Sequence, residues 1–149
     1  SWEIAHAVPR EHAGDMYGSM VFSPDDRTLA LVRGRNSDIK LIEADGWVFI
    51  TGQMPFSGTS IDEAYPQGIE AQTHQVMKNL EAVLKGCGLG LPNVLSARVY
   101  LTHFDDDYAA MNAVYASYFA PGKRPARTCI GVNGLAKGAR IEIDMVARR

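Results

Sequence analysis

Between Ile69 and Leu84 the apolar residues recur at spacings of three, four and seven, whereas on either side of that stretch they recur every second residue. Ile69, Val76, Leu80, Val83 and Leu84 fall on one helical face, with Glu70, Lys78, Glu81 and Lys85 elsewhere. Before it, TLALV (28–32), IKLIEA (39–44) and WVFITG (47–52) read as strands. After it, NVLSARVYL (93–101) alternates Ala97, Val99 and Leu101 with Ser96, Arg98 and Tyr100. The period changes at about Asp62. A helix set among strands must bury its apolar stripe, and a sheet face is the surface at hand. The chain is therefore expected to form a layered α+β domain.

The remaining elements follow from local signals. Asp45-Gly46, between two strand runs, is the strongest hairpin signal. Gly86-Cys87-Gly88 stops the first helix. Asp105-Asp106-Asp107 reads as an N-cap plus an acidic first turn, favourable against the dipole of a second helix. That helix carries Met111, Val114, Tyr115 and Tyr118 on its inner face. TCIGVN (128–133), a turn at 134–139 and RIEIDMVA (140–147) form a last strand pair. The predicted order is β-β-β-α-β-α-β-β, with two helices on one face of a mixed sheet. Residues 1–26 hold turn signals without clear periodicity and read as an irregular arm with room for one short element. Residues 1–38 are accordingly set apart from 39–149 within a single domain.

Bulk properties narrow the partners. The 149 residues are 46% hydrophobic and 21% charged, the make-up of an ordinary globular domain with one core. A net charge of −2, with basic residues scattered, gives no electrostatic reason to expect nucleic acid or an anionic membrane. No apolar run approaches the ~20 residues of a spanning helix, and no signal-peptide pattern is visible. Cys87 and Cys129 lack CxxC spacing, so a reducing cytoplasm is the expected setting. His6, His12, His74 and His103 lack HxxxH or HExxH spacing, so no dedicated metal site is expected.

Most chemical candidates read as ordinary structure. GCGLG (86–90) follows a helix and precedes a strand, the reverse of a dinucleotide loop. Cys129 reads as a small, inert strand cysteine and His74 as a surface or interface residue. Two positions stand apart. Arg127, in RPARTCIGV (124–132), starts a strand just after Pro125, and a stiffly launched guanidinium suits bidentate grip on a carboxylate. Glu142 shares a strand face with Asp144, opposite Ile141, Ile143 and Met145. Solvent is the default for that acidic face, a polar pocket the alternative.

Taken together, WVFITGQMP (47–55), GIEAQTHQVMKNLEAVLKGCG (68–88), NVLSARVYL (93–101), YAAMNAVYASYF (108–119), RPARTCIGVNGL (124–135) and IEIDMVA (141–147) resemble the Rid family, the YjgF-type reactive intermediate deaminases. The stretches occur in that family's order and spacing and cover about residues 39–147. The resemblance implies a chorismate-mutase-like fold and a homotrimer with clefts between subunits. It implies hydrolysis of enamines and imines of the 2-aminoacrylate and 2-iminopropionate type to 2-keto acids and ammonia. No metal or organic cofactor is implied.

The family's carboxylate-binding arginine falls on Arg127, and its acid, which activates water, falls on Glu142. Thr51, Asn112 and the backbone of Cys129 match its other substrate contacts. Where the family has glycine-proline-tyrosine before its second strand, this chain has Asn36-Ser37-Asp38. That departure leaves room for a larger acid such as 2-aminomuconate. A non-catalytic trimer that binds carboxylate metabolites is the rival reading, and a ribonuclease ranks below both.

Overall fold

The computed structural model describes residues 3–6, 19–22, 28–33, 38–57 and 64–149. One eight-stranded mixed sheet carries two helices on one face. Its strands are β1 (Glu3–His6), β2 (Ser19–Phe22), β3 (Thr28–Arg33), β4 (Asp38–Ala44), β5 (Trp47–Gln53), β6 (Val94–Leu101), β7 (Ala126–Gly131) and β8 (Ile141–Arg148). The helices are α1 (Ile69–Gly86) and α2 (Phe104–Ser117). From Thr28 onward the order is the expected one. Ahead of it, the arm read as irregular contributes two strands, β1 and β2, that extend the sheet from β3.

The spatial order is β1-β2-β3-β4-β5-β8-β6-β7. The expected last strand pair is not a pair. β8 inserts between β5 and β6, antiparallel to both, while β7 runs parallel to β6 at the sheet's edge. The reason is topological: α2 links β6 to β7, and a strand–helix–strand crossover returns the chain in a parallel direction. At the other end, Asp45 and Gly46 both adopt positive φ (50° and 79°), the two-residue turn the sequence signals between β4 and β5.

Helix α1 begins at Ile69, the first residue of the expected apolar face, after Gly68 at φ +83°; Asp62, where the period changes, lies outside the described residues. Its end is as expected. The Leu89 amide donates to the Leu84 carbonyl (2.9 Å) and the Gly88 amide to the Lys85 carbonyl (3.0 Å), with Gly88 at φ +75°. Val76, Met77, Leu80, Val83 and Leu84 bury against Val99, Leu101, Ile141, Ile143 and Met145 of the sheet. In α2 the N-cap is His103, not an aspartate, and it makes no side-chain cap. Asp107 instead points inward and takes both Arg140 Nε (2.9 Å) and Nη2 (2.6 Å). Phe104 packs against the core and lies over Gly131, so packing sets the helix start.

Candidate active site

Strand pairing sorts the candidate residues onto two faces. Arg127 and Cys129 of β7 pair with Ala97 and Val99 of β6, which in turn pair with Met145 and Ile143 of β8. All of these lie on the helix-covered face. Glu142 and Asp144 pair with Tyr100 and Arg98 and lie on the open face.

On the helix side, the half-buried Arg127 donates from Nη2 to Asn112 Oδ1 of α2 at 2.7 Å. Its guanidinium carbon sits 4.7 Å from the centre of the Tyr115 ring, one turn further along the same helix. Among the described residues, no carboxylate pairs with Arg127. Cys129 lies two residues along β7, packed against the core, and burial raises its thiol more than the nearby Arg127 lowers it. A raised thiol is a poor nucleophile, which leaves the cysteine backbone, on an edge strand, as the group able to meet a ligand.

On the open side, Glu142 lies against Gly52: a β-carbon at residue 52 would overlap Glu142 Oε1. The pairing of β5 with β8 shifts between Ile50 and Gln53, so this glycine sits in a strand irregularity that brings backbone and carboxylate together. The exposed Thr51 is adjacent, and its hydroxyl accepts from Gln53 Nε2 at 3.3 Å. Glu142 is half-buried, and its carboxyl is pushed above the usual carboxylate range by desolvation first and by the Asp144 charge second. Asp144 is not a solvent residue. It is buried and accepts from Arg98 Nε (2.9 Å) and the Tyr100 hydroxyl (3.1 Å). Tyr65 lies near enough that the Glu142 charge, after desolvation, raises its phenol.

The structure thus brings Arg127, Asn112 and Cys129 together, and Thr51 with Glu142, but it keeps the two groups apart within one chain. Arg127 is level with Met145, three residues along β8 from Glu142 and across the width of β6. That is about 10 Å in each direction, on opposite faces. Tyr115, Gly52, Tyr65 and Asp144 also belong to these groups. Of these, Asp144 is marked by its alternation with Glu142 in the last strand, and Gly52 carries a signal as a glycine inside a strand pattern.

No group of three or more His, Cys, Asp or Glu among the described residues could hold a metal ion, Asp105–Asp107 included. No helix among them is long and apolar enough to cross a membrane.

Residues 33–149 match the family described as Endoribonuclease L-PSP. The chain belongs to the YjgF/Rid family. A RutC family protein of Synechocystis sp. is 39% identical to this Rid-family chain over 106 residues, 71% of the chain and 81% of that protein. Protein DfrA of Myxococcus xanthus is 35% identical over 114 residues, covering 76% and 85%. Among solved structures, the Rid protein YyfA of Yersinia pestis, itself of unknown function, superposes with a TM-score of 0.71 at 29% identity, over 78% of this chain and 91% of that one. RidA from an Antarctic Psychrobacter gives 0.70 at 26% identity, over 79% and 93%. The YjgF-type fold of this Rid chain is thereby established.

Proposed function

We propose that this Rid-family chain hydrolyses enamine or imine acids of the 2-aminoacrylate type to 2-keto acids and ammonia, in sites completed between the subunits of a homotrimer. One observation carries the reading: a half-buried guanidinium that has no carboxylate partner among the described residues, held in place by neutral groups. Such a cation suits an anionic ligand, and the fork suits a carboxylate. Glu142 supplies the second requirement. A carboxyl raised above its ordinary value by burial and by Asp144, and placed beside the substrate, can give a proton to the imine nitrogen and take one from the attacking water. An enamine first takes a proton at its methylene carbon to become the iminium. Water then adds to the iminium carbon and loses a proton, and the carbinolamine nitrogen takes a proton. Ammonia leaves as the hydroxyl gives up its proton and the carbonyl forms.

Because the Arg127 group and the Glu142 group face opposite sides of one sheet, a complete site requires the Arg127 group of one subunit and the Glu142 group of another. Exposed Ile42, Trp47, Phe49 and Ile130 on the open face suit burial between copies. The family description as an endoribonuclease favours RNA less well here, since His74 and His103 engage Tyr118 and Thr102 rather than each other.

The test is ammonia and keto-acid release from freshly generated 2-aminoacrylate, run beside 2-aminomuconate. Release above the uncatalysed rate is expected, and Glu142→Gln should lower turnover ~100-fold or more while keto-acid binding persists. Binding of 2-oxobutyrate with no acceleration for either substrate would leave only a carboxylate-binding module.

A further inference from the structure

The groups around Arg127 are chosen in an unusual way: they orient a charge without cancelling it. Asn112 Oδ1 accepts one Nη2 proton at 2.7 Å, and the Tyr115 face underlies the guanidinium carbon at 4.7 Å. Among the described residues, Arg98, Arg140 and Arg149 are held by carboxylates (Asp144, Asp107 and Glu43), and the exposed Arg148 lies over Trp47, 5.1 Å from the ring centre. An aspartate at 112 would reach the same guanidinium and pair with it more strongly, but the pair would be neutral.

We propose that Tyr115 is a positioning residue that, with Asn112, forms a neutral seat for Arg127, fixing the plane of its fork while leaving its full charge for the substrate carboxylate. The proposal rests on Arg127 being the carboxylate anchor. It gives Asn112 a holding role, its carbonyl oxygen accepting from the guanidinium, beside any contact its amide NH2 makes to a ligand. It also gives Tyr115, 1% exposed, a role beyond filling the core. A ring offers a cation its negative face, which an aliphatic side chain of similar bulk does not. Tyr115 is itself braced by Phe119, ring centres 5.0 Å apart, so the seat is stiff.

Two measurements test the seat. In the ligand-free protein, side-chain nitrogen–proton spectra read it directly. A held Arg127 shows separate Nη2 proton signals, and these should merge by free rotation in Asn112→Leu and in Tyr115→Leu. Tyr115→Phe, which keeps the π face, should preserve them. Merged signals in the wild type would overturn the proposal whatever the ligand does. The second measurement is calorimetric binding of 2-oxobutyrate alongside thermal melting. Asn112→Asp should melt higher than wild type yet bind 2-oxobutyrate ~10–100-fold more weakly, because a carboxylate has claimed the guanidinium. A purely structural asparagine would not show stability and affinity moving in opposite directions. Unchanged affinity in Asn112→Asp would also overturn the proposal. Failure of the wild type to bind 2-oxobutyrate would count instead against the deaminase reading, with the spectra still judging the seat.

Discussion

Glu142 illustrates how a single residue's surroundings set its chemistry. Its carboxyl titrates above its unfolded value of 4.5 because folding withdraws it from water and places it near Asp144. A raised acid favours folding most in its protonated form. Its contribution is fully present below pH 4.5 and is lost as pH rises through the folded value. Glu142→Gln, which is never charged, should therefore be more stable than wild type near neutrality. The advantage should vanish in urea titrations run below pH 4.5, and an advantage that grew on acidification would contradict the assigned shift.

Gly52 makes a second prediction at this scale. A methyl group there meets the end of a flexible side chain, so Gly52→Ala should swing the Glu142 carboxylate aside with little change in stability, within about 1 kcal/mol. Turnover should fall at least tenfold, with no further loss when Glu142→Gln is added, since both changes disable one group. Additive losses would mean that Gly52 acts elsewhere. Arg127 could be singled out in the sequence because Pro125 and the strand pattern are local signals. Tyr115 could not, because an aromatic on a helix's inner face has the same spacing whether it fills the core or seats a cation.

Among the elements, local rules succeeded where the ends are held by backbone and failed where tertiary contacts dominate. The Gly88 end of α1 needs a positive φ and two specific carbonyls, all supplied within a few residues, so it was legible. The start of α2 was not. Aspartate is a good cap, but Asp107 is taken by Arg140 and the helix begins at Phe104, against the core. β2 reads SMVF, a run without alternation, and its pairing with β1 and β3 is what defines it.

The Asp107–Arg140 pair joins α2 to the start of β8, and the Arg140 amide also donates to Gln72 Oε1 of α1 at 2.9 Å. Removing one partner leaves the other's charge behind, and the two are not equally buried. Asp107 is enclosed, whereas Arg140 is about one-third exposed. Arg140→Met should therefore cost about 3 kcal/mol in urea unfolding at neutral pH. Asp107→Asn should cost less, because the freed guanidinium can reach water. The reverse order would show that the pair is not what anchors this corner.

For the whole molecule, the open sheet face is the surface that the proposed trimer would bury. Sequence periodicity gives each strand two faces but not its neighbours, so the insertion of β8 between β5 and β6 could not be read from it. That insertion adds Val146 to the row of Ile42 and Phe49 on the open face, with Trp47 beside them, and Glu142 to the row of Tyr100 and Ile130. Phe49 remains 50% exposed at the centre of the apolar row, a poor arrangement for a lone subunit. Light scattering at micromolar concentration should give about 49 kDa, three copies of 16.3 kDa. Phe49→Glu should shift that mass towards the single chain without loss of secondary structure, because the side chain leaves solvent only on assembly. Turnover should fall with the trimer, since Glu142 and Arg127 would no longer meet. Binding of 2-oxobutyrate should weaken less, because the Arg127 seat is built within one chain. A single chain of about 16 kDa with full turnover would sink both the trimer and the shared site.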